Sequence, residues 1–209
     1  MNFYKLQPDP DKMNPSKQKS IYKEIHLKNM VCNCCILLLR KELLLDGIEV
    51  HEIKLGKLSI SFHPAIISWK KIEKILNDLG FEILVDKEKI LVDQIKQAII
   101  ELVHHSTYNA MVRNSDYLVE RFDVSYPYLS TLFSKHEKTT LEKFIILNKI
   151  EKVKELIEYG ELTLSEIAYM MGYSSVQYLS TQFKTITGIS VTEYKNNPNV
   201  MRKSLDKIE

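Results

Sequence analysis

Apolar and polar positions change their rhythm once along this chain, near residues 86–89. Before that point a two-residue alternation is interleaved with short helical stripes. "KLSISF" (57–62) alternates Leu58, Ile60 and Phe62 with Ser59 and Ser61, which predicts a strand with one buried and one wet face. "GIEVHEIKL" (47–55) reads as its hairpin partner around Gly56, and "IYKEIHL" (21–27) as an earlier strand. Ile36–Leu45 is predicted helical, with Leu39 and Leu43 at i, i+4 spacing. "SWKKIEKILNDLG" (68–80) opens on Ser68 as N-cap, lines up Trp69, Ile72, Ile75, Leu76 and Leu79, and stops at Gly80. "FEILV" (81–85) is a last strand. The order βαββαβ predicts helices on one face of a small, mostly antiparallel sheet, the ferredoxin-like arrangement.

After the boundary no strand pattern returns. Ile90, Ile95, Ile99, Leu102 and Val103 mark a helical stripe over 86–106. The rest contains a repeat at an offset of fifty residues. "YLSTLF" (128–133) returns as "YLSTQF" (178–183), Ser125 matches Ser175, Asp116 matches Glu166, and Phe144 matches Tyr194. Between the copies runs "TLEKFIILNKIEKVKELIEYG" (140–160), a long amphipathic helix ending at Gly160. The predicted class is α+β: a ferredoxin-like domain over 21–85, then an all-α domain in which two helix-turn-helix units are joined by a long helix. Residues 86–106 form its connecting helix and 107–196 its body. The polar, Pro-bearing residues 1–20 and residues 197–209 read as tails.

In the second copy, "TLSEIAYMMG" (163–172) begins with a capping-box pattern, Thr163 with Glu166. After a tight turn comes "SSVQYLSTQFK" (174–184), in the manner of a second helix able to enter a major groove. Ile167-Ala168, Ser174-Ser175, Tyr178-Leu179, Phe183-Lys184, Gly188 and Glu193-Tyr194-Lys195 together resemble the second helix-turn-helix of the AraC/XylS family of bacterial transcription regulators. The resemblance covers roughly residues 90–196 and implies binding to double-stranded DNA through the exposed face of each second helix. Carried over by position, the implied contacts are Tyr126, Pro127, Ser130, Thr131 and Lys135 in the first unit. In the second they are Val176, Gln177, Ser180, Thr181 and Lys184. Many family members have Arg where Thr131 and Thr181 stand. Arg grips guanine with two bonds, whereas Gln177 suits adenine and the hydroxyls read bases weakly, so either the base-specific part of the energy is small or DNA shape contributes more.

Net charge is +2, and residues 107–209 balance 13 Lys+Arg against 13 Asp+Glu, so bulk basicity does not point to nucleic acid. Local placement does. Val124–His136 and Ile167–Thr192 contain no acidic residue, and Lys135 and Lys184 are their lysines. The bland explanation is that both stretches are partly buried helices.

All three cysteines stand within four positions, Cys32, Cys34 and Cys35, at the start of the first predicted helix. Helix dipole and unpaired N–H groups there favour thiolate, and a C-x-x-C pair suits metal ligation or thiol redox chemistry. Two soft thiolates on a loop suit Cu(I) or another soft ion, with Zn(II) requiring further ligands. Residues 21–85 resemble the heavy-metal-associated domain of copper chaperones and metal-pumping ATPases. That family's loop, Gly-Met-Thr-Cys-x-x-Cys, stands here as Asn29-Met30-Val31-Cys32-Asn33-Cys34-Cys35, and "GFEI" (80–83) matches its entry to the last strand. The resemblance implies that Cys32 and Cys35 are ligands and that Met30 is a buried anchor of the loop. Cys34 has no family counterpart and is either a third ligand or a surface thiol.

The chain has no apolar run long enough for a membrane span and no signal-peptide core near its start, so a cytoplasmic protein without a membrane partner is expected. No Ser/His/Asp set, phosphate loop or paired carboxylates stand out, so no catalysis is expected. Together these features predict a DNA-binding transcription regulator whose N-terminal domain senses a soft metal ion, coupled through the 86–106 helix. The rivals are a sensor of thiol redox state on the same cysteines and a plain dimerisation or interaction module. A homodimer stays open, since two helix-turn-helix units let one chain grip two groove segments unaided.

Overall fold

The computed structural model describes residues 19–45, 47–105, 113–196 and 202–208; of the predicted tail over 1–20, residues 1–18 lie outside them. The chain divides into two compact units. One comprises the described residues up to Leu27 with Cys32–Ile83, and the other Lys28–Val31 with the described residues from Leu84 onward.

The first unit contains β1 (Ile21–Lys28), α1 (Asn33–Glu42), β2 (Ile48–Lys54), β3 (Lys57–Phe62), α2 (Trp69–Asp78) and β4 (Glu82–Leu84). The sheet order is β2-β3-β1-β4, and β3 runs antiparallel to both β1 and β2. Leu58, Ile60 and Phe62 are buried, as are Ile25 and Leu27 on β1, Leu39 and Leu43 at the end of α1, and Ile72 and Leu76 on α2. Ser68 caps α2 by accepting from the Lys71 N–H. The wet face predicted for β3 is not open throughout, because Ser59 is only 3% exposed. It pairs in register with Glu24 and Glu52, and Lys57 bridges those two carboxylates at 2.9 and 3.8 Å, so charged neighbours on that face crowd it. Helix α1 starts three residues earlier than its apolar spacing predicts, because its first turn is the polar Asn33 and two thiols rather than part of the stripe.

The second unit is helical. Helix α3 (Lys87–Ile100) begins on Asp86, whose carboxylate accepts from the N–H groups of Glu88 and Lys89, and it ends in a π-helical turn, Glu101–His105. Then come α4 (Asn114–Phe122), α5 (Tyr126–His136), α6 (Leu141–Tyr159), α7 (Leu164–Met170), α8 (Val176–Thr187) and α9 (Val191–Asn196). One continuous apolar cluster runs from Val92 on α3 to Tyr194 on α9 and includes Leu118, Phe133, Phe144, Ile150, Ile167 and Phe183. The fifty-residue repeat is visible in it as two aromatic pairs, Phe133 with Phe144 at 5.4 Å and Phe183 with Tyr194 at 5.5 Å. Residues 202–208, predicted as part of a tail, instead pack on α6. Arg202 meets Glu155 at 2.6 Å, the Lys203 N–H donates to Glu151, and Ile208 joins the cluster. Three widely spaced contacts of this kind leave no periodicity to read.

Asp93 on α3 is a buried acid whose carboxylate accepts from Gln97 Nε2 at 2.5 Å. Burial pushes its carboxyl up to about 6, against the pull of Lys96. A carboxyl with a raised folded pKa favours folding in its protonated form. That contribution is therefore complete below about pH 4 and is lost as pH rises through about 6. Asp93→Asn is expected to flatten the stability profile over this window and to add on the order of 2 kcal/mol at pH 7. Urea unfolding at several pH values checks this, and an unchanged slope would show that Asp93 does not set it.

Candidate nucleic-acid interface and thiol pair

Each half of the second unit presents a helix pair: α4 with α5, then α7 with α8. Asp123 turns the chain between the first two in the left-handed region, at φ 53°. In the second pair, α7 opens with the full capping box, Thr163 accepting from the Glu166 N–H while Glu166 accepts from the Thr163 N–H at 2.7 Å. Lys149 on α6 donates to the Met171 carbonyl at 2.8 Å and so pins the end of α7, where orphan carbonyls need a donor. Burial pulls the Lys149 ammonium below its usual pKa range. Ser175 caps α8 by accepting from the Tyr178 N–H, and Tyr173 Oη donates to Gln182 at 2.6 Å across the turn. The buried stripe of α8, Leu179 and Phe183, leaves Gln177, Thr181 and Lys184 exposed on its opposite side. Val176 and Ser180 are half-buried, Val176 against the core, and the Thr181 hydroxyl donates to the Gln177 carbonyl.

The first pair differs in its surroundings. Leu129, Leu132 and Phe133 are buried, while Pro127, Thr131 and Lys135 are exposed. Tyr126 and Ser130 are half-buried, and both donate to the same oxygen of Glu142, in the first turn of α6, at 3.0 and 3.3 Å. Burial pushes the Glu142 carboxyl up, but hydrogen bonds from its own backbone N–H and from Tyr126, Ser130 and Thr140 outweigh this and hold it below the usual range. Lys135 Nζ lies 2.6 Å from Glu88 on α3, and His136 Nε2 lies at the same distance from that carboxylate. The acid-free stretch around α5 therefore acquires two carboxylates from other helices. Neither is foreseeable from the stretch itself, although the repeat aligns Glu142 with Thr192, an acid present in one copy and absent from the other.

The thiol pair sits where β1 hands over to α1. Cys32 occupies the N-cap position and Cys35 the first turn, with their sulfurs 3.8 Å apart. Burial raises the Cys32 pKa, but hydrogen bonds from the backbone N–H groups of Cys35 and Cys34, and from their thiols, prevail and bring it below the usual thiol value. Asn29 takes φ +72°, the left-handed conformation that Asn tolerates best after Gly, which accounts for Asn where the metal-binding loop pattern has Gly. Met30 is fully buried. Cys34 is exposed, and no group of three or more His, Cys, Asp or Glu among the described residues is arranged to hold a metal ion. Two soft thiols without a third ligand among the described residues are too few for a closed four-ligand zinc site and are donors of the kind a soft ion accepts.

Residues 118–197 match the family model described as a helix-turn-helix domain. The chain is 26% identical over 107 residues to the Msm operon regulatory protein of Streptococcus mutans, covering 51% of this chain and 36% of that protein. It is 28% identical over 106 residues to the xylose operon regulatory protein of Escherichia coli K12, covering 50% of this chain and 27% of that one. It thus spans about a third of the length of these curated relatives. Among solved structures, the C-terminal domain of AraT, a response regulator from Geobacillus stearothermophilus, aligns with a TM-score of 0.46 at 24% identity, covering 57% of this chain and 94% of that one. No described helix is long and apolar enough to cross a membrane. The C-terminal part of this chain carries a helix-turn-helix domain over residues 118–197.

Proposed function

We propose that this chain is a transcription regulator that grips two successive major-groove segments of double-stranded DNA, one with α5 and one with α8. The observation that carries the reading is the duplicated helix pair. Both copies share one apolar cluster around α6, and each turns an exposed, mostly uncharged helix face outward. Pro127 and Thr131 on α5, and Gln177, Thr181 and Lys184 on α8, are the side chains offered to the groove. One chain should protect two patches with centres about one helical turn, ~10 base pairs, apart. Hydroxyl-radical footprinting on a duplex selected from a random pool tests this, and protection of a single patch per monomer would sink it. Because few cations line these faces, affinity should fall only gently with salt.

In this reading the N-terminal unit is a soft-metal sensor, its strand order β2-β3-β1-β4 supporting the ferredoxin-like assignment. Cys32 and Cys35 are the residues that would hold the ion, which as Cu(I) would supply a soft acceptor for both thiolates. Differential binding of ~1–3 kcal/mol between two states is enough for the ion to regulate DNA affinity. A thiol-redox sensor is the second reading, favoured by the same 3.8 Å separation, since a small rotation brings the sulfurs to disulfide distance. Anaerobic titration with Cu(I), read by DNA binding, supports the first reading if affinity changes at one equivalent. A response to peroxide without metal supports the second.

A further inference from the structure

We infer that Glu142 sets how much of the DNA binding the first helix pair carries: it holds the Tyr126 and Ser130 hydroxyls of α5 and fixes a negative charge beside them, so that α8 does most of the base reading. This deepens the DNA-binding reading above and rests on it.

Three observations converge on α5. The first is the pair of hydroxyls. Tyr126 Oη and Ser130 Oγ reach the same Glu142 oxygen at 3.0 and 3.3 Å. A hydroxyl has one proton to give, so each is left with only acceptor lone pairs for a base edge. The second is charge. Glu142 is exposed at the start of α6, and a carboxylate on a surface that meets phosphates repels them. The third is Lys135, an exposed cation of α5 whose ammonium is paired with Glu88 at 2.6 Å. Helix α8 stands in the opposite situation. The repeat places Thr192 where Glu142 stands, and Gln177 and Lys184 are exposed. Glu193, the nearest acid in sequence, is committed to capping α9, accepting from the Ser190 N–H at 2.6 Å. The two copies therefore share a scaffold and differ in what their second helices can donate.

The test uses the full chain, a pool of duplexes with a random core of about 24 base pairs, and a duplex recovered from that pool by the wild type. Wild type should select one strongly constrained segment, the one lost with Gln177→Ala, and a weakly constrained neighbour. Glu142→Gln keeps an acceptor for both hydroxyls and removes only the charge, so it should bind the recovered duplex about five- to tenfold more tightly at low salt; Glu142→Ala also frees the hydroxyls, and its selected pool should gain constraint in the neighbouring segment. Tyr126→Phe and Ser130→Ala should weaken binding in the Glu142→Ala background more than in the wild type and cancel the gained constraint, a coupling that a merely structural glutamate would not produce. Circular dichroism monitors the fold. If Gln177→Ala weakens binding while Glu142→Gln leaves affinity and Glu142→Ala leaves the selected sequence as in the wild type, this inference falls and the DNA-binding reading stands. It also falls if Tyr126→Phe weakens wild type and Glu142→Ala equally. If wild type recovers no duplex at all, the DNA-binding reading falls and takes the inference with it.

Discussion

Replacing Cys32 and Cys35 together by serine is expected to weaken Cu(I) binding by more than about a hundredfold, because a hydroxyl is a hard, weakly acidic donor and cannot replace a thiolate. Competition against a chromophoric Cu(I) chelator under anaerobic conditions measures this directly. The variant should still fold. Its apolar anchors on the sheet and helices, Leu27, Leu39, Leu58, Ile60, Ile72 and Leu76, are buried side chains distinct from the thiols. Binding in the parent should weaken as pH falls, since protons compete with the ion for thiolate; the lowered Cys32 pKa delays that loss. Cys34→Ser should have a much smaller effect, because the Cys34 side chain is exposed and completes no three-ligand group among the described residues. DNA binding by the double variant should persist and stop responding to Cu(I). A double variant that binds and responds as the parent does would remove the sensor reading and leave the interaction-module reading in its place.

Sequence periodicity exposed what is local and missed what arrives from a distance. The alternation of Leu58, Ile60 and Phe62 is visible because a strand side chain changes face every residue, and these three are buried in the structure. The repeat is visible because both copies need the same fillers, with Phe133 and Phe183 as the knobs and Phe144 and Tyr194 as their partners. Capping of α2 and α7 is visible because an N-cap acts within three residues. The candidate DNA face is legible only in part. Which residues α8 exposes follows from its apolar stripe, but the carboxylates beside α5 come from Glu88, 47 residues before Lys135, and from Glu142, 12 residues after Ser130. Charge read along a segment is therefore blind to charge brought in by a neighbour. The packing of Ile208 and the early start of α1 escaped for a related reason: each depends on tertiary partners or on polar residues that carry no period.

Phe183→Ala should destabilise the helical unit by about 3–5 kcal/mol, a large share of the ~5–15 kcal/mol that holds a typical domain. Phe183 is fully buried and meets Tyr194 edge to face, at 5.5 Å and 73°, so truncation removes both its apolar burial and an aromatic pair. The void would open between α8 and α9, beneath the exposed face of α8. Tyr194 also donates to Glu158 at 2.5 Å, and that bond holds its ring in place from the α6 side. The cavity therefore cannot simply collapse, which puts the expected cost toward the upper part of the range. Because Phe183 belongs to the same continuous cluster as Phe133 and Leu118, the loss should be felt by the whole unit rather than by α8 alone. Urea unfolding followed by far-UV circular dichroism should show the helical transition moved as one step to lower denaturant with its slope preserved. Phe183→Leu should recover more than half of the loss, since it refills most of the volume without the ring contact. DNA affinity should drop in Phe183→Ala even below its unfolding transition, because α8 then lacks the anchor that fixes its exposed face. A loss under about 1 kcal/mol, or an early transition confined to part of the helical signal, would show that the two helix pairs do not share one cooperative core.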